Sequence, residues 1–217
     1  MKYVLIVPLI FLAGCSYLAA RVSSVADDPA KVKERVMKVV QGQREKKDWM
    51  KTDFCPADKI PEATRRPKGT AADCARNPES CLNHCDAGEG DSCYSLARLI
   101  QDNDTVQNDV ADILYRHACR LGIVSGCTNS ASNLFERHDD AAAVTCAART
   151  FEVGCAREDP WACTMNGLAL AEGIGRAKNV PEALRSLDRA CEVSIQKNGE
   201  ACTKAKELKA ATARSGN

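Results

Sequence analysis

Four cysteine pairs recur through the last two thirds of the chain, and their spacing limits the fold more than any other feature. Cys85 and Cys93 bracket DAGEGDS, Cys119 and Cys127 bracket RLGIVSG, Cys155 and Cys163 bracket AREDPWA, and Cys191 and Cys202 bracket the longer EVSIQKNGEA. The first members lie 34, 36 and 36 residues apart. A fixed period in this range is the signature of a helical solenoid. Val106, Val110, Ile113, Leu114 and Ala118 fall at helical spacing before Cys119, as do Val180, Ala183, Leu184, Leu187 and Ala190 before Cys191. Pro181 falls in the first turn of that second helix, where its missing N–H costs nothing. An apolar helical stretch also follows each second cysteine: YSLARLI, TNSASNLF, TMNGLALAEGIG and TKAKELKAA. Each unit therefore reads as helix, tight turn, helix, with its cysteines at the end of one helix and the start of the next. A disulfide there staples the hairpin at its turn, which stabilises it by roughly 2–3 kcal/mol through the entropy of the unfolded chain. Aromatic residues make up only 5% of the sequence, so Leu, Ala, Val and Ile must build most of the core, and the staples offset that thin burial.

The stretch WACTMNGLALAEGIGRAKNVPEALRSLDRAC, residues 161 to 191, resembles the Sel-one-like repeat family, a relative of the tetratricopeptide repeats. The matching features are Ala162-Cys163, Gly167, the Gly173-x-Gly175 turn, Pro181-x-Ala183 and Ala190-Cys191. The likeness spans about residues 79 to 213 and is most specific from 155 to 202; the copy at 127 to 139 lacks the Gly-x-Gly turn. The resemblance implies an all-α, right-handed solenoid of about four repeats in the exported, disulfide-rich branch of the family. It implies protein–protein interaction as the role, with penicillin binding or a weak β-lactamase activity as one rival and a passive structural lipoprotein without a specific partner as another. Gly167 would let two helices approach closely, because glycine has no side chain. Gly173-Ile174-Gly175 reads as a turn and not a phosphate loop, since no strand precedes it and no Lys-Ser/Thr follows.

The N-terminus, MKYVLIVPLIFLAGC, has the form of an export signal: Lys2, an apolar run from Tyr3 to Leu12, and Leu-Ala-Gly-Cys. The run is too short for a spanning helix, which needs about 20 residues. Its ending resembles the bacterial lipobox, which implies cleavage after Gly14 and acylation of Cys15. Ser16 then points to the periplasmic face of the outer membrane. The organisation read from sequence is a signal peptide at 1–14, a tether at 15–30, a basic helix at 31–51, a Pro-containing linker at 52–78, the solenoid at 79–213 and a tail at 214–217. Residues 31 to 51 carry a net +5, whereas Asp86 to Asp112 carry seven acids and one base. The basic helix, with its narrow stripe of Val32, Val36, Val39 and Val40, has three readings: solvated, packed on the acidic first repeat, or laid on anionic lipid.

An exported chain meets an oxidising compartment, so disulfides are the expected use of its cysteines. Twelve remain once Cys15 is set aside. Beyond the four hairpin pairs, Cys55, Cys74, Cys81 and Cys146 allow three connectivities, and sequence does not choose among them. Nearness favours Cys74 with Cys81. That would leave Cys55 with Cys146 and draw the N-terminal segment across the solenoid. No C-x-x-C pair occurs, so no zinc site or other cofactor is expected. His84, His117 and His138 form no metal-spaced pair; His84 and His117 read as helix-end residues whose partial positive charge suits the C-terminal dipole. Ser194-Ile195-Gln196-Lys197 matches the Ser-x-x-Lys of serine β-lactamases by letters, but Ser-Asp-Asn and Lys-Thr-Gly are absent, and Lys68-Gly69-Thr70 has the wrong order. No catalytic residue is therefore expected. The acidic solenoid and the export signal disfavour nucleic acid. The sequence points to unidentified envelope proteins as partners, with the membrane reached through the lipid on Cys15.

Overall fold

The computed structural model describes residues 28–101, 109–137 and 140–215. The signal segment, Cys15, all but the end of the tether, Val106 and His138 lie outside the described residues. Ten α-helices run in order among those described: α1 Pro29–Gln43, α2 Ala71–Arg76, α3 Pro78–Asp86, α4 Gly90–Gln101, α5 Asp109–Arg120, α6 Val124–Phe135, α7 Ala141–Ala156, α8 Pro160–Glu172, α9 Val180–Val193 and α10 Glu200–Ser215. The described residues contain no strand; the single β-type pairing is a parallel bridge between Arg65 and Ile123.

The chain is an all-α solenoid of four hairpins, α3–α4, α5–α6, α7–α8 and α9–α10, each packed on the next. Local chemistry sets the helix starts. Asn77, Asp140, Asp159 and Asn179 each accept a hydrogen bond from a backbone N–H of the first turn, satisfying a donor that the helix leaves unpaired. Proline opens α1, α3 and α8. The three short turns share one geometry. The third residue after the first cysteine takes a left-handed conformation, at Gly88, Gly122 and Glu158. The next amide bonds back to the helix end: Glu89 to His84, Ile123 to Ala118 and Asp159 to Gly154. Glu158 is the only described non-glycine residue with positive φ, at 64°, so this turn geometry persists even where the side chain opposes it. The fourth hairpin is three residues longer between its cysteines and abandons the pattern; Ser194 is extended there.

Cys85–Cys93, Cys119–Cys127, Cys155–Cys163 and Cys191–Cys202 bridge the four hairpins, with Cα atoms 4.4 to 4.8 Å apart. Cys74 is bonded to Cys81 and Cys55 to Cys146. Small residues let the helices close on each other. A Cβ on Gly167 would lie 2.5 Å from Leu187 Cγ, so α8 and α9 could not keep their spacing with any larger residue there. The core is built from Ala, Leu, Val and Ile, with Tyr115 and Phe151 as its largest fully buried members.

The first end of the solenoid is covered. Val32, Val36 and Val40 of α1 are buried against the first two hairpins, together with Met50. Of the three readings of the basic helix, the freely solvated one is thereby set aside.

Residues 52–78 form a strap, not a bare linker. They contain a 3-10 turn at Pro56–Lys59 and the six-residue α2, too short to announce itself by hydrophobic period. The strap crosses the hairpin turns. Asp53 pairs with Arg116, and Arg116 and Arg120 lie over the Phe54 ring. Cys55 is bonded to α7, where Ala57 donates its N–H to Thr150 Oγ1 at 3.2 Å. Arg65 N–H bonds the Gly122 carbonyl at 2.9 Å, and the Arg65 carbonyl accepts from Val124 N–H. The Arg66 guanidinium reaches the carbonyls of Glu158 and Val193, at the third and fourth turns. Arg65 and Lys68 N–H both engage Asp91 at the start of α4.

Candidate functional site

The second helices of the hairpins, α4, α6, α8 and α10, line one open groove of about 520 Å³. Its walls follow from helical register. On α4 they are Tyr94, Arg98 and Gln101; on α6, Ser125, Asn129 and Ser132; on α8, Trp161 and Met165; and on α10, Glu200. Residues three and four apart share one helix face, so each helix offers the same stripe. Counted from the second cysteine, the residue two places earlier is Asp91, Ser125, Trp161 and Glu200 in successive hairpins. Three of these four line the groove; Asp91 is held by the strap instead.

Trp161 is 40% exposed, which is unusual for the largest side chain in an aromatic-poor protein. It stands on the first turn of α8, which Asp159 fixes in place. Asp159 is buried; its carboxylate accepts from Ala162 N–H at 2.8 Å, Ser125 Oγ at 2.7 Å and Thr128 Oγ1 at 3.1 Å. One carboxylate thus caps α8 and ties it to α6 across the repeat boundary. Deeper in, Ser130 Oγ donates to Asp112 at 2.7 Å and Arg116 Nε lies 3.2 Å away. Burial pushes the Asp112 carboxyl up, and the Ser130 hydrogen bond offsets part of that. Gln101 donates to Asn133 Oδ1 at 3.1 Å, linking α4 to α6. The groove is therefore a rigid polar trough with Tyr94, Trp161 and Met165 as its apolar footholds. Its charged members, Arg98, Glu136, Asp159 and Glu200, sum to −2. Such a surface can hydrogen-bond an extended chain and seat apolar side chains between the rings.

The Ser-x-x-Lys match does not form a nucleophile–base pair. Ser194 Oγ donates to the Ala190 carbonyl at 2.7 Å, and Lys197 Nζ donates to the carbonyls of Cys191 and Glu192. Both groups close the C-terminal end of α9.

The histidines divide. His84 lies in the last turn of α3 with Nδ1 3.6 Å from a Glu89 carboxylate oxygen. His117 departs from the charged helix-end role. Burial, and then the charge of Arg120, pull its pKa down to about 4, so it is neutral at pH 7. It is half-buried and stacks on Trp49 with ring centroids 4.0 Å apart. Trp49 in turn donates to Asp86 at 2.7 Å, and Lys47 pairs with the same carboxylate. Ligand atoms of Cys85, Cys93 and His117 lie within 4.8 Å of one another. The two sulfurs are bonded to each other, so this cluster offers no thiolate to a metal.

The repeat register could have located the groove from sequence. It was missed because the residue types change from copy to copy and leave no motif. Compared with protein-family models, curated proteins and solved structures, the chain matches none.

Proposed function

We propose that this chain is a lipid-anchored cell-envelope scaffold of the Sel-one-like repeat type, whose groove holds an extended segment of a partner protein. The observation that carries this reading is the groove itself: the second helices of successive hairpins, α4, α6 and α8, with Glu200 of α10, line one open trough, and Trp161 stands exposed in it. An exposed tryptophan with a buried carboxylate fixing its turn has the form of an interaction anchor. The envelope placement rests on the N-terminal sequence, and it agrees with a chain whose twelve described cysteines are all paired. The partner lies across the stacked helices, so its contacts should come from several hairpins at once.

A photo-crosslinking residue placed at Asn129, inside the groove, should give one discrete adduct in the native envelope. The same residue at Lys206, on the exposed face of α10, should not. Tyr94→Ala with Trp161→Ala should remove the adduct without unfolding the chain. Equal adducts from both positions, or none from Asn129, would sink the reading.

A further inference from the structure

The apolar stripe of α1 is already engaged. With Val32, Val36 and Val40 in the core, the helix cannot insert into anything else. Its exposed side carries Lys31 and Lys38, with Glu34 between them, and the 3-10 turn that follows, Arg44–Lys46, adds Arg44 and Lys46; among the described residues no carboxylate lies within ion-pair distance of any of these four cations. Beside them a cleft of about 610 Å³ runs between α1 and α3. Arg35, Lys38 and Lys47 stand around it, against one carboxylate, Glu79, with Leu82 and Asn83 completing the wall.

We propose that this outer face of α1, with the adjoining cleft, is a docking surface for anionic phospholipid headgroups. Charge complementarity favours it: a helix of fifteen residues, about 22 Å long, and the 3-10 turn after it carry four exposed cations that form no ion pair. Chain path favours it as well. The N-terminal segment joins the fold at Asp28, the cap of α1, thirteen residues after Cys15. The inference rests on the lipid-anchored reading for its orientation, since an acyl group on Cys15 would hold this face near the bilayer. The mode is electrostatic and not insertional, because the valines are unavailable. Binding must therefore weaken as salt rises. Docking would fix how the solenoid stands on the membrane and would leave the groove free.

The test uses the full mature chain with Cys15→Ser, which carries no acyl group. Its sedimentation is measured with phosphatidylcholine vesicles, with and without phosphatidylglycerol, at low and physiological ionic strength. The expected result is binding only to the anionic vesicles, weakened by salt. In the Lys31→Gln, Lys38→Gln, Arg44→Gln, Lys46→Gln variant the partition coefficient should fall by about fivefold for each cation removed. Lys204→Gln, Lys206→Gln and Lys209→Gln on α10 serve as the charge control and should change it far less. Binding to neutral vesicles, equal losses in the two variants, or no vesicle binding would overturn the proposal, as would sedimentation with purified peptidoglycan alone. The mass of the native N-terminus decides acylation separately. An unacylated Cys15 removes the anchor and leaves the vesicle result standing, whereas an acylated chain that ignores anionic vesicles removes only this proposal.

Discussion

The turn edge of the solenoid and its groove are built from the same hairpins but finished differently. At the turn edge the strap contacts all four hairpins, through Asp91, Gly122, Glu158 and Val193, and is bonded to α7 through Cys146. In the groove Trp161 is exposed and Tyr94 and Asn129 are half-buried, and no strap residue lines it. The two surfaces meet along Ser125, Asp159 and Trp161, where Arg66 and Pro67 of the strap border the same depression. A repeat array has no long-range core, so neighbouring units hold together only through their interfaces. Bracing one edge makes the other dispensable for stability, and that edge can then vary in residue type from copy to copy.

The largest effect should come from cutting the brace. Cys55→Ser with Cys146→Ser opens a link spanning 91 residues and should cost about 4–5 kcal/mol, against about 2–3 kcal/mol for Cys119→Ser with Cys127→Ser, whose separation is 8. Urea unfolding of the two double variants checks the order; equal losses would mean that the strap adds nothing beyond a local staple. Arg66→Ala comes next. It leaves the carbonyls of Glu158 and Val193 without that donor and should cost about 1–2 kcal/mol, with the loss confined to the third and fourth hairpins in amide exchange.

The braced side also carries a pH dependence. The folded pKa of His117 is depressed to about 4 from 6.5, so the unfolded chain takes up a proton that the folded chain refuses. Its contribution is complete above the unfolded value and is lost as pH falls from about 6.5 toward 4. Thermal unfolding of His117→Gln should therefore show a shallower decline over that window than the parent. A parallel decline would place the acid sensitivity elsewhere. Glu158→Gly should raise stability by about 0.5–1 kcal/mol by removing a side chain from a left-handed turn, because the exposed pair with Arg189 that it also removes is worth less. The smallest effect belongs to the groove. Trp161→Ala should move stability by no more than about 1 kcal/mol, since the ring is 40% exposed, while abolishing the Asn129 crosslink. A large loss of stability there would make Trp161 a structural residue and erase the contrast.

The hairpins were legible because two independent periods coincide: helical spacing within each arm and the cysteine step between arms. The strap was not. Its contacts are main-chain hydrogen bonds and ion pairs between residues far apart in sequence, such as Arg66 with Val193, and neither leaves a local pattern. α2 was hidden by its length. His117 was read from its place at a helix end, which is correct for the backbone, but its ionisation is set by burial and then by Arg120, and part of that burial comes from Trp49, which stacks on it from another segment. The groove was legible in register and illegible in chemistry, because Asp91, Ser125, Trp161 and Glu200 share a position and nothing else.

The bond between Cys55 and Cys146 also sets a problem of timing. Five of the six disulfides join cysteines adjacent along the chain once this pair is set aside, and three of those five lie between its ends. Wherever the chain is oxidised as it emerges, Cys55 appears first of the twelve disulfide-bonded cysteines and its partner eighth. If it joined Cys74, the next to appear, and each later cysteine did likewise, four of the six bonds would be wrong, and only Cys155–Cys163 and Cys191–Cys202 would survive. Correct assembly therefore requires Cys55 to wait, or to be released by thiol–disulfide exchange, until Cys74–Cys81 and the staples of the first two hairpins have formed. The brace that holds the finished array can close safely only after the three bonds it encloses.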